Sequence, residues 1–161
     1  MTGRPSAAPP LLTPSQLRIA AKVALGMSSA QVAADLGLSR ATVDVQMSDS
    51  NTRTGVASRT ALIHRCYVTQ QLPPPEPIAP APAADEVERE ILWGLALGGE
   101  LAETGRRCHY SADAVGRKLR DLKKRWTASN DPHLITLGWQ YGLLDASRGS
   151  AGFATRSTSR R

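Results

Sequence analysis

Two cysteines, Cys66 and Cys108, are all that the 161 residues hold. That is too few for a disulfide framework, and both are expected as small apolar residues in a reducing cytosol. No apolar run approaches the roughly 20 residues that cross a bilayer, which excludes a transmembrane helix. Residues 1–10 hold one arginine and no apolar core, so no signal peptide is expected and the chain is placed in the cytoplasm. Three histidines, His64, His109 and His133, are scattered without zinc-type spacing, and neither a metal nor a cofactor is expected. Paired carboxylates, a glycine-rich phosphate loop and a nucleophile–base pair are also missing. Ser28-Ser29, His64 and His133 have nothing around them that suggests a triad, so the chain is not read as an enzyme. Alternating strand patterns are absent, and the class is all-α.

What is present is basic and helical. Lys+Arg number 20 against 14 Asp+Glu, a formal charge of +6 that favours polyanionic partners. Only Lys22, Lys118, Lys123 and Lys124 are lysines; the arginine excess with abundant alanine fits a GC-rich bacterial coding sequence. Residues 73–84 read PPPEPIAPAPAA, a semi-rigid spacer with about 60 helical-looking residues on either side. Residues 1–10 and 146–161 read as disordered tails, the second basic, with Phe153 its one large apolar residue.

Residues 11–72 align without a gap on 83–144 at an offset of 72. Ile19/Ile91, Leu25/Leu97, Gly26/Gly98, Val43/Val115 and Ile63/Ile135 coincide, and so does the punctuation. Thr13/Asp85, Ser39/Ser111 and Ser58/Asn130 are all good helix N-caps, and Gln16 and Glu88 complete a capping box in each copy. The reading is two copies of a four-helix unit, over 11–72 and 85–145. Helices are expected near 14–25, 28–36, 40–53 and 59–70, then near 86–97, 100–108, 112–126 and 131–144.

Within the first copy the motifs are Leu12-Thr13, Gly26-Met27-Ser28, Val32-Ala33, Leu36-Gly37-Leu38-Ser39, Thr42-Val43, Gly55-Val56 and Arg59-Thr60. Over residues 12–63 this resembles the LuxR/GerE/NarL family of four-helix DNA-binding domains; the second copy looks like a diverged relative. The resemblance implies two tandem helix-turn-helix modules joined by the Pro/Ala-rich linker. It further implies a sequence-specific transcription regulator that binds double-stranded DNA on the nucleoid; the length leaves no room for the sensor domain that often accompanies the family, so none is expected. The alternative is an interaction adaptor that binds a sigma factor, RNA polymerase or another regulator.

A reading helix needs an apolar inner stripe and a polar or basic outer one. In the second copy the inner stripe is Val115, Leu119, Leu122 and Trp126, and the outer surface carries Arg117, Lys118, Arg120, Lys123, Lys124 and Arg125. The family meets bases one, two and five residues after the conserved valine, which implies Gly116, Arg117 and Arg120 here. Departures lie in the turn, where His109 stands in the place of Gly37, and Thr104, Gly105 and Cys108 replace Val32, Ala33 and Leu36. In the first copy the base-reading positions are Asp44, Val45 and Ser48. Asp44 would repel phosphate, and the inner stripe is expected to fail at Ser50 and Thr54. Either this copy reads DNA through Arg40, Gln46, Ser48 and Arg53, or it is a packing or partner-binding module.

The last helix is more apolar than a four-helix unit needs. Leu134, Ile135, Leu137, Trp139 and Tyr141 are expected at an interface, either of a homodimer or of an intramolecular pseudo-dimer; Leu92, Trp93 and Leu95 could join it. The acidic stretch of Asp85, Glu86, Glu88, Glu90, Glu100 and Glu103 reads partly as helix-start chemistry and partly as solvated surface, with a polymerase contact as a further possibility.

Overall fold

A computed structural model of the chain describes residues 11–148. The tails expected over 1–10 and from 149 onward lie outside the described residues. Those described hold eight helices and no strand: α1 (Pro14–Ala24), α2 (Ser29–Leu36), α3 (Arg40–Thr54), α4 (Arg59–Val68), α5 (Glu86–Ala96), α6 (Leu101–Cys108), α7 (Ala112–Trp126) and α8 (Asp131–Gln140). Each of α5 to α8 begins and ends 72 residues after its counterpart in α1 to α4. Packing follows the same rule. Helix α1 touches α2, α3 and α4, and α3 touches α2 and α4; α5 touches α6, α7 and α8, and α7 touches α6 and α8.

Helix starts are fixed by side chains that accept otherwise unpaired backbone N–H groups. Thr13 with Gln16 and Asp85 with Glu88 form reciprocal capping boxes at α1 and α5. Ser39, Ser58, Ser111 and Asn130 cap α3, α4, α7 and α8 through single bonds. A third box, Ser28 with Gln31, opens α2, whereas its counterpart Glu100 opens α6 without a side-chain cap.

Helices α4 and α8 stop earlier than their apolar sequence suggests. Gln70 (φ 62°) and Gly142 (φ 75°) turn the chain into the left-handed region. The N–H groups of Gln71 and Leu72 then return to the carbonyl of Cys66, and those of Leu143 and Leu144 to that of Gly138. Each hook folds a leucine under its own helix, leaving Leu72 7% and Leu144 1% exposed. So Leu144 is core without being helical. Residues 73–84 form no helix, and they are tethered: Ile78 N–H donates to the carbonyl of Gln140 at 2.8 Å, and the Gln140 amide to that of Glu76 at 3.2 Å. Arg148, in the stretch expected as tail, lies against α5. The Arg148 guanidinium sits 4.8 Å from the Trp93 ring centre and 3.7 Å from Glu90.

One apolar core runs through both halves. Helix α4 lies on α8, and α4 meets α5 as α8 meets α1. Leu134, Ile135 and Leu137 are buried there, with Leu62, Ile63 and Cys66 of α4 in the same cluster. Two side-chain bonds cross the junction. The hydroxyls of Tyr67 and Thr136 lie 3.0 Å apart, and Trp139 Nε1–H donates to His64 Nδ1 at 3.0 Å. Tyr67 and Trp139 are counterparts, as are His64 and Thr136, so the bonds exchange when the halves are exchanged. That reciprocity is the mark of an isologous contact. Tyr141 takes no part in either bond; its ring meets Trp126 of α7 edge-on at 5.1 Å.

Candidate nucleic-acid interface

Helices α2 and α3 meet through a left-handed Gly37 (φ 68°), and α6 and α7 through His109 in the same conformation (φ 63°). Histidine tolerates this region less readily than glycine. Close approach is provided one turn earlier: a Cβ on Gly105 would run into the backbone carbonyl of Tyr110. Ala33 stands at that place in the first half, so its replacement by glycine accompanies a tighter turn.

Helix α7 presents the expected inner stripe, with Val115, Leu119, Leu122 and Trp126 all buried. Its six outer cations divide into two groups. Lys118 is 3.0 Å from Asp85, Lys123 2.8 Å from Asp131, and Arg125 2.9 Å from Glu88. These three strap α7 to the starts of α5 and α8. Asp85 is held below the usual carboxylate range, first by the Glu88 N–H and then by Lys118, and Asp85 in turn pushes the Lys118 ammonium up. Arg117, Arg120 and Lys124 are exposed and have no ion-pair partner among the described residues. Spacings of 3 and 4 put them on one helical face. The cationic surface expected from the sequence is therefore half as large as its residue count.

Helix α3 differs from its sequence reading in two ways. Its inner stripe does not fail: Ser50 is fully buried and Thr54 nearly so. The Ser50 hydroxyl donates to the carbonyl of Gln46, and that of Thr54 to the carbonyl of Ser50, both at 2.8 Å. Each polar group is thus satisfied by its own helix, and the stripe behaves as apolar. Asp44, for its part, is no bare acid. It accepts from the Ser29 hydroxyl at 2.6 Å and from Arg59 Nη2 at 2.7 Å, while Arg40 stands 4.0 Å away. Those bonds, Ser29 first and Arg59 next, hold its carboxyl below the ordinary range. The network joins α2, α3 and the start of α4. Arg59 was not among the candidate residues; its only signal was its place in the Arg-Thr pair.

The remaining candidates on α3 are dispersed. Arg40 and Ser48 are exposed, and Gln46 is half-buried. Arg53 donates from Nε to the carbonyl of Leu11 at 2.7 Å. Val45, Ser48 and Thr52, the counterparts of Arg117, Arg120 and Lys124, form the exposed stripe of α3, and Val45 is 56% exposed.

Among described residues no group of His, Cys, Asp and Glu side chains could hold a metal ion, and no helix is long and apolar enough to cross a membrane. No curated protein sequence and no solved structure matches the chain. Residues 10–66, which take in α1 to α3 and most of α4, match the family model described as GerE, bacterial regulatory proteins of the luxR family. The match covers about a third of the chain, and over that segment the chain is similar to the LuxR-type helix-turn-helix domain, a fold of DNA-binding transcription regulators.

Proposed function

We propose that the chain is a sequence-specific DNA-binding transcription regulator built from two copies of one helix-turn-helix module, over 11–72 and 85–145. The copies pair within the chain through α4 and α8, and α7 enters the major groove. The carrying observation is the stripe of Arg117, Arg120 and Lys124, exposed and unpaired on the third helix of its set. Arginine reads guanine through two parallel hydrogen bonds, and lysine neutralises phosphate. The identical helix bounds and packing support the second copy, and the family match over the first supports the class. Lys118, Lys123 and Arg125 act here by positioning α7.

Selection from random duplex DNA with the whole protein tests the reading. A defined motif is expected to enrich. Alanine at Arg117 and Arg120 together should weaken binding at least about ten-fold, since each bidentate pair discriminates by about 1–3 kcal/mol. Alanine at Lys124 should make the logarithmic salt slope shallower by about one phosphate contact. Absence of any enriched sequence at low salt would sink the reading and leave the protein-interaction adaptor in its place.

A further inference from the structure

Resting on that reading, we infer that one copy of the chain reads a non-palindromic DNA site, with guanines under α7 and thymines under α3. Two independent observations carry this. The first is the α4–α8 junction. A pair of modules related by a two-fold contact binds two half-sites, and here both modules belong to one chain. The reciprocal bonds Tyr67–Thr136 and His64–Trp139 occupy that contact, so the face that would bring in a second chain is already filled.

The second observation is what the junction presents on its two sides. Positions related by the 72-residue offset are the exposed stripes of α3 and α7, and they share no side chain: Val45 corresponds to Arg117, Ser48 to Arg120, and Thr52 to Lys124. Two halves of a palindrome demand equal readers, and these are chemically opposite. An exposed β-branched residue in mid-helix gains nothing from packing and lowers helix propensity slightly. Val45 therefore suits a contact outside the protein. In a major groove its match is the C5-methyl group of thymine, the one apolar feature displayed there. Asp44, beside it, is satisfied by Ser29 and Arg59 and is not a free negative charge; Asp49, one turn on from Val45, is exposed and is the carboxylate this face leaves unpaired among the described residues.

The experiment is selection from random duplexes with the full chain and with the exposed-site variants Val45→Ala and Arg117→Ala/Arg120→Ala. Measurement of stoichiometry on the selected site, and of affinity after deoxyuridine replaces thymidine, completes it. The expected site has two unlike blocks at a fixed spacing and binds one chain. Arginine removal relaxes the guanine block alone, and Val45→Ala relaxes the thymine block alone. Loss of a contacted methyl weakens the wild type about four-fold, the factor for one buried methyl-sized group, and leaves Val45→Ala unaffected. An inverted repeat bound by two chains, or a single guanine block with random flanks, overturns the inference while the DNA-binding reading stands. Failure to enrich any sequence removes both.

Discussion

Lowering the pH below 6.5 should weaken the fold through His64, by an amount set by the junction it occupies. The imidazole is 2% exposed and accepts from Trp139 Nε1–H through Nδ1, so its proton sits on Nε2, which has no partner among the described residues. Trp93 meets the ring edge-on at 5.7 Å. Burial, assisted by the nearby positive charge of Arg65 and opposed by Asp145, brings its pKa from 6.5 down to about 4. The folded state thus binds the proton less readily than the unfolded chain. Stability is complete above pH 6.5 and is lost progressively as pH falls toward 4. With 1.36 kcal/mol per pKa unit, the full contribution is about 3 kcal/mol, and about 2 kcal/mol of it is gone at pH 5. Urea unfolding of wild type and His64→Gln between pH 7.5 and 4.5 measures it. The variant lacks the titrating group and should lose about 2–3 kcal/mol less over that range, whatever its absolute stability. His133, also shifted down by burial, is present in both proteins and cancels. Equal pH dependence in the two would refute the reasoning.

Two further outcomes follow from backbone geometry. Thr127 ends α7 in the left-handed region (φ 56°), where the counterpart is Gly55. A β-branched residue is strained there, so Thr127→Gly should raise stability by about 1 kcal/mol, read as a higher urea midpoint at unchanged slope; an unchanged or lower midpoint would count against the strain. Gly105→Ala should cost about 1–3 kcal/mol because its Cβ meets the backbone carbonyl of Tyr110, which cannot rotate away as a side chain would. A neutral result would show that the α6–α7 turn can open.

Most of the architecture was legible because its punctuation is local. A cap and a left-handed glycine act on their immediate neighbours, so Thr13, Ser39, Asp85 and Ser111 mark helix starts without knowledge of the fold. Long-range effects were not legible. The hooks that end α4 and α8 are driven by Leu72 and Leu144 reaching the core, which a helical run of apolar residues conceals. Ser50 and Thr54 looked like breaks in a stripe because a hydroxyl's partner is invisible in sequence; the partner turned out to be the helix itself. The same blindness hid the ion pairs of α7. Six cations on one helix carry no sign of which three have carboxylates waiting.

Those carboxylates give the acidic stretch at the start of the second half its place. Asp85 and Glu88 cap α5, each giving one carboxylate oxygen to the other's backbone N–H. The second oxygen of each turns to α7, Asp85 to Lys118 and Glu88 to Arg125. Glu90 goes to Arg107 and Arg148. In the first half the corresponding box is Thr13 with Gln16, which caps as well but has no charge to offer. The residue in register with Lys118 is the neutral Gln46, and Arg53, in register with Arg125, turns to the carbonyl of Leu11 instead. Caps and cations therefore differ between the halves as a set: where the box is ionised, α7 is charged and strapped down by it, and where the box is neutral, α3 is neutral too. A helix carrying six cations repels itself, and three internal counterions reduce that repulsion while leaving Arg117, Arg120 and Lys124 for a polyanion. The acids that oppose a polyanion in a charge count are, in the folded chain, paired with half of the cations of α7.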